Sequence, residues 1–288
     1  MANNYQKKAF TSARFSYPEF DKTLFSNFKK EELQSYSKGE GWERDRKNVT
    51  DLISFIDQAT GPFFGFMFFE SAHANYYFPA ESVIEKDYLE DFDYLVTDIP
   101  ANIKQIKNRY INASHHLDSQ IARVFHYLEK TNKLDNTIVI ITGDHGEEFL
   151  EKGRWGHNST FSQEQIRVPL VIHHPEMKMK PVSAMTSHID LPATILNILG
   201  INDDPSHYSY GQDLYSPSYT RNSLVVSDWN GSALITPDIK YSLSIKASAG
   251  KDRITSLNDD PITDESGPFT TQVLADYIKS TGAFYSKK

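Results

Sequence analysis

The chain has 288 residues, 39% of them hydrophobic and 13% aromatic, with 38 acidic against 30 basic side chains and a formal net charge of -8. That length can bury one sizeable core or two small ones, and an acidic balance without runs of like charge excludes nucleic acid as the main partner. The absence of cysteine rules out disulfides and thiolate metal sites. The stretch Met1–Phe20 lacks a signal peptide's apolar core. No segment reaches the ~18 apolar residues of a spanning helix, so the chain as it stands is expected to be soluble.

Residues 7–15 read as a short strand near the start. Val49, Leu52, Ile53 and Ile56 at helical spacing predict an amphipathic helix over 43–58, stopped by Gly61-Pro62. Phe63 to Phe69 is apolar without interruption, the pattern of a strand covered on both faces. Glu70 to Pro100 is aromatic, acidic and irregular, and loops of that length are usually functional or flexible. Ile103, Ile106, Tyr110, Leu117, Ile121, Val124 and Leu128 mark one stripe of a long helix over 101–131. The chain turns at 133–136. Buried strands follow at 137–142 and 168–172, and then a short helix from Asp190, its expected N-cap, to Leu199, closed by Gly200.

This succession predicts an α/β fold with a mostly parallel central sheet flanked by helices. Beyond Asp203 the text becomes β-rich at 223–227, 233–236 and 240–245, with a last helix near 270–279. The expected organisation is an α/β core over residues 1–203 and a C-terminal subdomain over 204–288, its small antiparallel sheet packed on the core.

Asp144-His145-Gly146 stands where the strand over 137–142 ends. Ligands of open α/β sheets gather outside the carboxyl ends of strands. Neighbouring side chains on a strand point to opposite faces, so for Asp144 and His145 to reach one cation the backbone must turn, with Gly143 and Gly146 supplying freedom. Carboxylate plus imidazole suits a divalent metal such as Zn²⁺, Mn²⁺, Mg²⁺ or Ca²⁺. Asp-His-Gly alone is a common turn sequence; the company gives it weight. His157 follows in a glycine-framed loop, and His73 lies just past the strand over 63–69. Glu147 and Glu148 read as loop carboxylates near the site. His115 and His116 sit on the long helix, where at most one faces the core. His173 or His174 is placed near the same edge, and His188 is expected to orient a loop. Arg154 and Trp155 suit an anionic headgroup.

Four stretches carry a family resemblance: 110–118, 134–148 with its Asp-His-Gly, 168–172, and Ser187-His-Ile-Asp-Leu-Pro-Ala-Thr-Ile-Leu196. They resemble the sulfatase branch of the alkaline phosphatase superfamily, and the opening, the stretch around His73 and the tail resemble the periplasmic domains of bacterial inner-membrane sulfatase-like proteins. The resemblance implies an alkaline phosphatase/sulfatase-like fold, Asp144 and His145 as metal ligands, and His73 and His157 as catalytic, substrate-contacting histidines. It also implies a membrane-anchored parent facing the periplasm and an anionic ester or lipid headgroup as partner.

The same resemblance places the family's nucleophile and an acidic metal ligand upstream of Met1. Ser16-Tyr17-Pro18-Glu19-Phe20 imitates a sulfatase nucleophile motif, but Phe20 stands where an arginine would hold the anion, and a strand-end turn is the expected role of Ser16. Two functions follow. One is metal-dependent hydrolysis or transfer of a sulfate or phosphate ester. The other is a non-catalytic domain that senses lipid or lipopolysaccharide on the same fold.

Overall fold

The computed structural model describes residues 4–17, 19–178, 181–201, 203–229, 231–244 and 253–262, together with 275, 277–279 and 282. In chain order the regular elements are β1 (Gln6–Thr11), β2 (Leu33–Ser35), α1 (Gly41–Gln58), β3 (Phe63–Phe68), α2 (Ile99–Lys130), β4 (Val139–Thr142) and β5 (Glu148–Phe149). They continue with β6 (Trp155–Gly156), α3 (Gln163–Ile166), β7 (Leu170–His173), α4 (Asp190–Ile198), β8 (Leu224–Ser227), β9 (Gly231–Ile235), β10 (Ile239–Ser244) and β11 (Arg253–Ser256). The helix expected near 270–279 falls mostly outside the described residues; Ala275 and 277–279 are helical. The chain divides into two compact units, residues 1–139 with 173–176, and residues 140–172 with 177–288.

The first unit holds a parallel sheet in the order β2-β1-β3. Its centre is β1, where Ala9, Phe10 and Thr11 are fully buried. One face packs Phe10 with Leu52 and Ile56 of α1 and Leu128 of α2. Ala9 belongs to a second, aromatic cluster with Phe15, Phe25, Phe28 and Phe66, whose rings meet mostly at steep angles, the arrangement their quadrupoles favour. The expectation that β3 is covered on both faces is corrected: β3 lies at the sheet edge and Phe64 is 47% exposed.

Helix α2 begins two residues earlier than its apolar stripe suggests. The Asp98 carboxylate accepts from the Ala101 N–H at 3.1 Å and Pro100 sits in the first turn, both features that favour a helix start. Besides its apolar stripe, α2 carries buried polar side chains that satisfy the irregular segment after β3. Asn112 Oδ1 accepts from the Ile84 and Glu85 N–H groups, each at 2.9 Å, while its Nδ2 donates to Glu85 O. Arg109 donates to the carbonyls of Leu89, Glu90 and Asn75, and Asn108 to that of Asp87. A loop without helix or sheet partners needs such donors and acceptors where water is excluded. Of the histidine pair on α2, it is His116 that is buried, its ring edge-on to Trp42.

The second unit contains the pair β4-β7 except for its end residues Val139 and His173, the hairpin β5-β6 and the antiparallel sheet β11-β10-β9-β8. The mixed α/β character and the small antiparallel sheet match expectation. Helix α4 corrects one reading: Asp190 is its first residue, not its cap. The fully buried Asp190 carboxylate accepts from Ser187 N, Gln212 N, Tyr219 Oη and the Arg221 guanidinium, most of them far ahead in sequence. Gly200 does close the helix, at φ +76°.

Candidate metal centre

The chain leaves β4 at Thr142, and Gly146 N donates to Gln165 O at 2.9 Å. That bond presses the turn against α3, and a Cβ at Gly146 would collide with the carbonyl of Glu164. Glycine is therefore required at 146 by close approach. Neither Gly143 nor Gly146 has positive φ, which corrects the expectation of unusual backbone freedom. Thr142 Oγ1 lies 3.1 Å from His188 Nε2, so His188 does tie its loop to the end of β4.

In this turn His145 Nδ1 faces Gly146 O at 2.9 Å. A carbonyl only accepts, so the proton belongs on Nδ1 and the lone pair on Nε2, the arrangement of a metal-binding histidine. The Asp144 carboxylate accepts from the His145 N–H at 3.0 Å, and its other oxygen is 3.6 Å from His145 Nε2. His157 reaches the same place: its ring centroid is 3.9 Å from that of His145, tilted by 30°. Its Nδ1 bonds the Glu147 carboxylate at 2.7 Å, which again puts the lone pair of the neutral ring on Nε2. That hydrogen bond raises the His157 pKa above the usual imidazole value against the opposing effect of burial, with the charges of Glu147 and Asp144 adding to it.

Among the described residues, His145, Glu147 and His157 form the one group of three whose ligand atoms lie within 4.8 Å of one another. Two imidazole nitrogens and a carboxylate oxygen are a donor set of the kind that holds zinc in catalytic sites with three protein ligands, and borderline metals such as Mn²⁺ use the same ligands. The residues present therefore fit a divalent metal. Glu147, read from sequence as a loop carboxylate, is part of the cluster; the signal for it was a histidine ten residues on, returned by a glycine-rich loop.

The other expected site residues sit as follows. His73 lies in the first unit, just past β3, with its side chain 58% exposed. It lines a cavity of about 420 Å³ with Trp42, Arg44, Glu70 and Tyr77. Arg154 and Trp155 belong to the β5-β6 hairpin, where the Arg154 N–H donates to Glu148 Oε1 at 2.8 Å and Trp155 pairs with Phe149. Ser16 lies in a turn bounded by a bridge between Arg14 and Tyr17. His173 stands edge-on to Phe125 and bonds Leu134 O at 3.4 Å.

The turn lined by histidine and carboxylate thus stands at the end of a strand in a mixed α/β fold, where ligands of such folds gather. The sulfatase family model matches residues 2–201, and the chain belongs to the sulfatase family. It is 32% identical over 146 residues to the inner membrane protein YejM of Salmonella typhimurium, covering 50% of this chain and 24% of that protein. It is 28% identical over 101 residues to a choline-sulfatase of Rhizobium meliloti, covering 35% of this chain and 20% of that enzyme. The chain thus spans about a quarter or less of the length of these relatives.

Solved structures of like fold include the phosphonate monoester hydrolase of Agrobacterium radiobacter, with a TM-score of 0.64 and 16% identity over 86% of this chain and 62% of that one. An alkaline phosphatase superfamily protein from Vibrio parahaemolyticus gives 0.62 and 19% identity, covering 99% and 67%. These likenesses establish the alkaline phosphatase/sulfatase-like fold. No helix among the described residues is long and apolar enough to cross a membrane.

Proposed function

We propose that this chain supplies the metal-holding part of an enzyme that hydrolyses or transfers a sulfate or phosphate ester. The observation that carries the reading is the meeting of His145, Glu147 and His157 at the end of β4, beside Asp144, in a member of the sulfatase family. A divalent metal bound there would neutralise charge on the ester oxygens and make a bound nucleophile more acidic. The chain's own groups do the rest. Glu147 fixes the orientation of the His157 ring. His157, so oriented, turns its Nε2 to the centre, where it can ligate the cation or contact the ester. The family resemblance makes His73, which lines a cavity of the first unit with Arg44 and Tyr77, a candidate contact for an anionic ester, and Arg154 and Trp155 candidate contacts for an anionic headgroup.

The reading includes a membrane-anchored parent that faces the periplasm, as one relative is an inner membrane protein, and the division at residue 203. The test has two arms. Calorimetry with Zn²⁺ and Mn²⁺ on the wild-type chain and on His145→Ala should show binding that the substitution abolishes; equal affinity in the two would refute the centre. Metal-dependent release from nitrophenyl sulfate or nitrophenyl phosphate by the full-length parent, lost in the same variant, supports the enzyme. No release, with lipid binding intact, would instead leave a sensing domain.

A further inference from the structure

The segment that carries His157 is gripped from two sides. From inside, the fully buried Glu148 carboxylate accepts from Lys152 N, Arg154 N, Ser162 Oγ and Gln165 Nε2 at 2.7–3.0 Å. Burial pushes this carboxyl up, yet the donors from Ser162, Gln165, Arg154 and Lys152 prevail and hold it below the usual glutamate value. Its oxygens are taken up within this segment. Gln165 continues the grip: its Oε1 accepts from Ser159 N and Thr160 N, and its own carbonyl receives the Gly146 N–H.

From outside, the C-terminal antiparallel sheet holds the same segment. Lys240 of β10 is 1% exposed and donates through Nζ to Phe161 O at 3.0 Å. It is also paired with Asp259 in the turn after β11. The second oxygen of Asp259 accepts from Gln163 N at 3.0 Å, and the neighbouring Asn258 O accepts from Lys152 Nζ at 2.5 Å. These three ties fall on both flanks of His157. A buried ion pair is poor value for stability alone, since well-packed apolar residues of similar size often do as well or better. An ammonium that bonds both the sheet's own turn and a loop carbonyl does something an apolar pair cannot: it fixes one backbone against another.

We infer that Lys240 and Asp259 are positioning residues for the metal centre, holding the 152–163 segment so that His157 meets His145 and Glu147. The inference rests on the metal-site reading above. It assigns the antiparallel sheet a role in affinity, exercised through where His157 stands. Outer partners of this kind typically change metal affinity by roughly 10–100-fold when removed.

The test compares Zn²⁺ binding by calorimetry in the wild-type chain, Lys240→Met/Asp259→Asn, and Val225→Ala. The double substitution removes both charges together, leaves no unpaired ion, and keeps an acceptor for Gln163 N. Val225 lies on β8, two strands from Lys240, and reports the effect of weakening the same sheet elsewhere. The double variant should bind Zn²⁺ roughly 10–100-fold more weakly while Val225→Ala binds as wild type. Wild-type affinity in the double variant, or an equal loss in both, overturns the inference but leaves the centre standing. Failure of the wild-type chain to bind removes the centre and the inference with it. Native-state hydrogen exchange on the unaltered chain gives a second readout. The amides of 152–163 should open in one step with β10 and β11; exchange of that segment ahead of the sheet contradicts the inference even if the double variant fails to fold.

Discussion

His157 Nδ1 sits 2.7 Å from Glu147 Oε2, and both residues are at least half-buried. A histidine oriented by a carboxylate is a better ligand than one that turns freely, because its tautomer and ring plane are set before the cation arrives. Glu147→Gln keeps the size of the side chain and removes the charge. It should weaken Zn²⁺ binding by roughly 10–100-fold with little change in melting temperature, checked by calorimetry and a thermal scan. Unchanged affinity would mean that Glu147 neither binds nor orients.

Stability should fall in mild acid through His116. Burial lowers its pKa below the usual 6.5, with Asp45, the Trp42 backbone and Glu81 pulling the other way and Arg46 adding to burial. In the unfolded chain this imidazole protonates as pH drops through 6.5; in the folded chain it resists. Its contribution is therefore complete above pH 6.5, is lost as pH falls towards the lowered folded value, and then levels off. Urea midpoints measured from pH 7.5 to 5 should decline less steeply in His116→Leu than in wild type. Parallel curves would exclude His116 as the source.

Asn112→Ala should cost about 2–3 kcal/mol, because two buried N–H groups and one carbonyl lose their partner together. Chemical denaturation measures the loss. Hydrogen exchange should show it concentrated at Ile84 and Glu85, and a uniform increase over the whole chain would speak against the local role.

Arg221→Met leaves Asp190 buried with its charge uncompensated, and should destabilise by about 3 kcal/mol. Adding Asp190→Asn should recover part of this loss, since the charge that made the arginine necessary is gone. Strictly additive effects in the double variant would show that the pair is not coupled.

Much of the fold was legible because α1, β3, α2, β4 and α4 announce themselves by period or by unbroken apolar runs. Asp144, His145 and His157 were legible as candidates because of their place after a strand and in a glycine-framed loop. The role of Asp190 was not. An aspartate before an apolar run looks like a local cap, and its partners Gln212, Tyr219 and Arg221 follow only after the chain has left the helix. Glu148 was hidden for a related reason: two adjacent glutamates read as loop carboxylates, and only folding gathers Lys152, Arg154, Ser162 and Gln165 around the second. The edge position of β3 was equally invisible, since Phe63–Phe68 records apolarity and not which neighbours arrive.

The tight approach of Gly146 to α3 has an implication for how such a centre can be retuned. With no room for a side chain at 146, the spacing of His145 and Glu147 along the turn is welded to the helix behind it. In the proposed centre, changes of cation preference then fall to the opposite wall, by shortening, lengthening or re-anchoring the stretch that brings His157 in. One jaw of the vice is fixed; only the other can be adjusted.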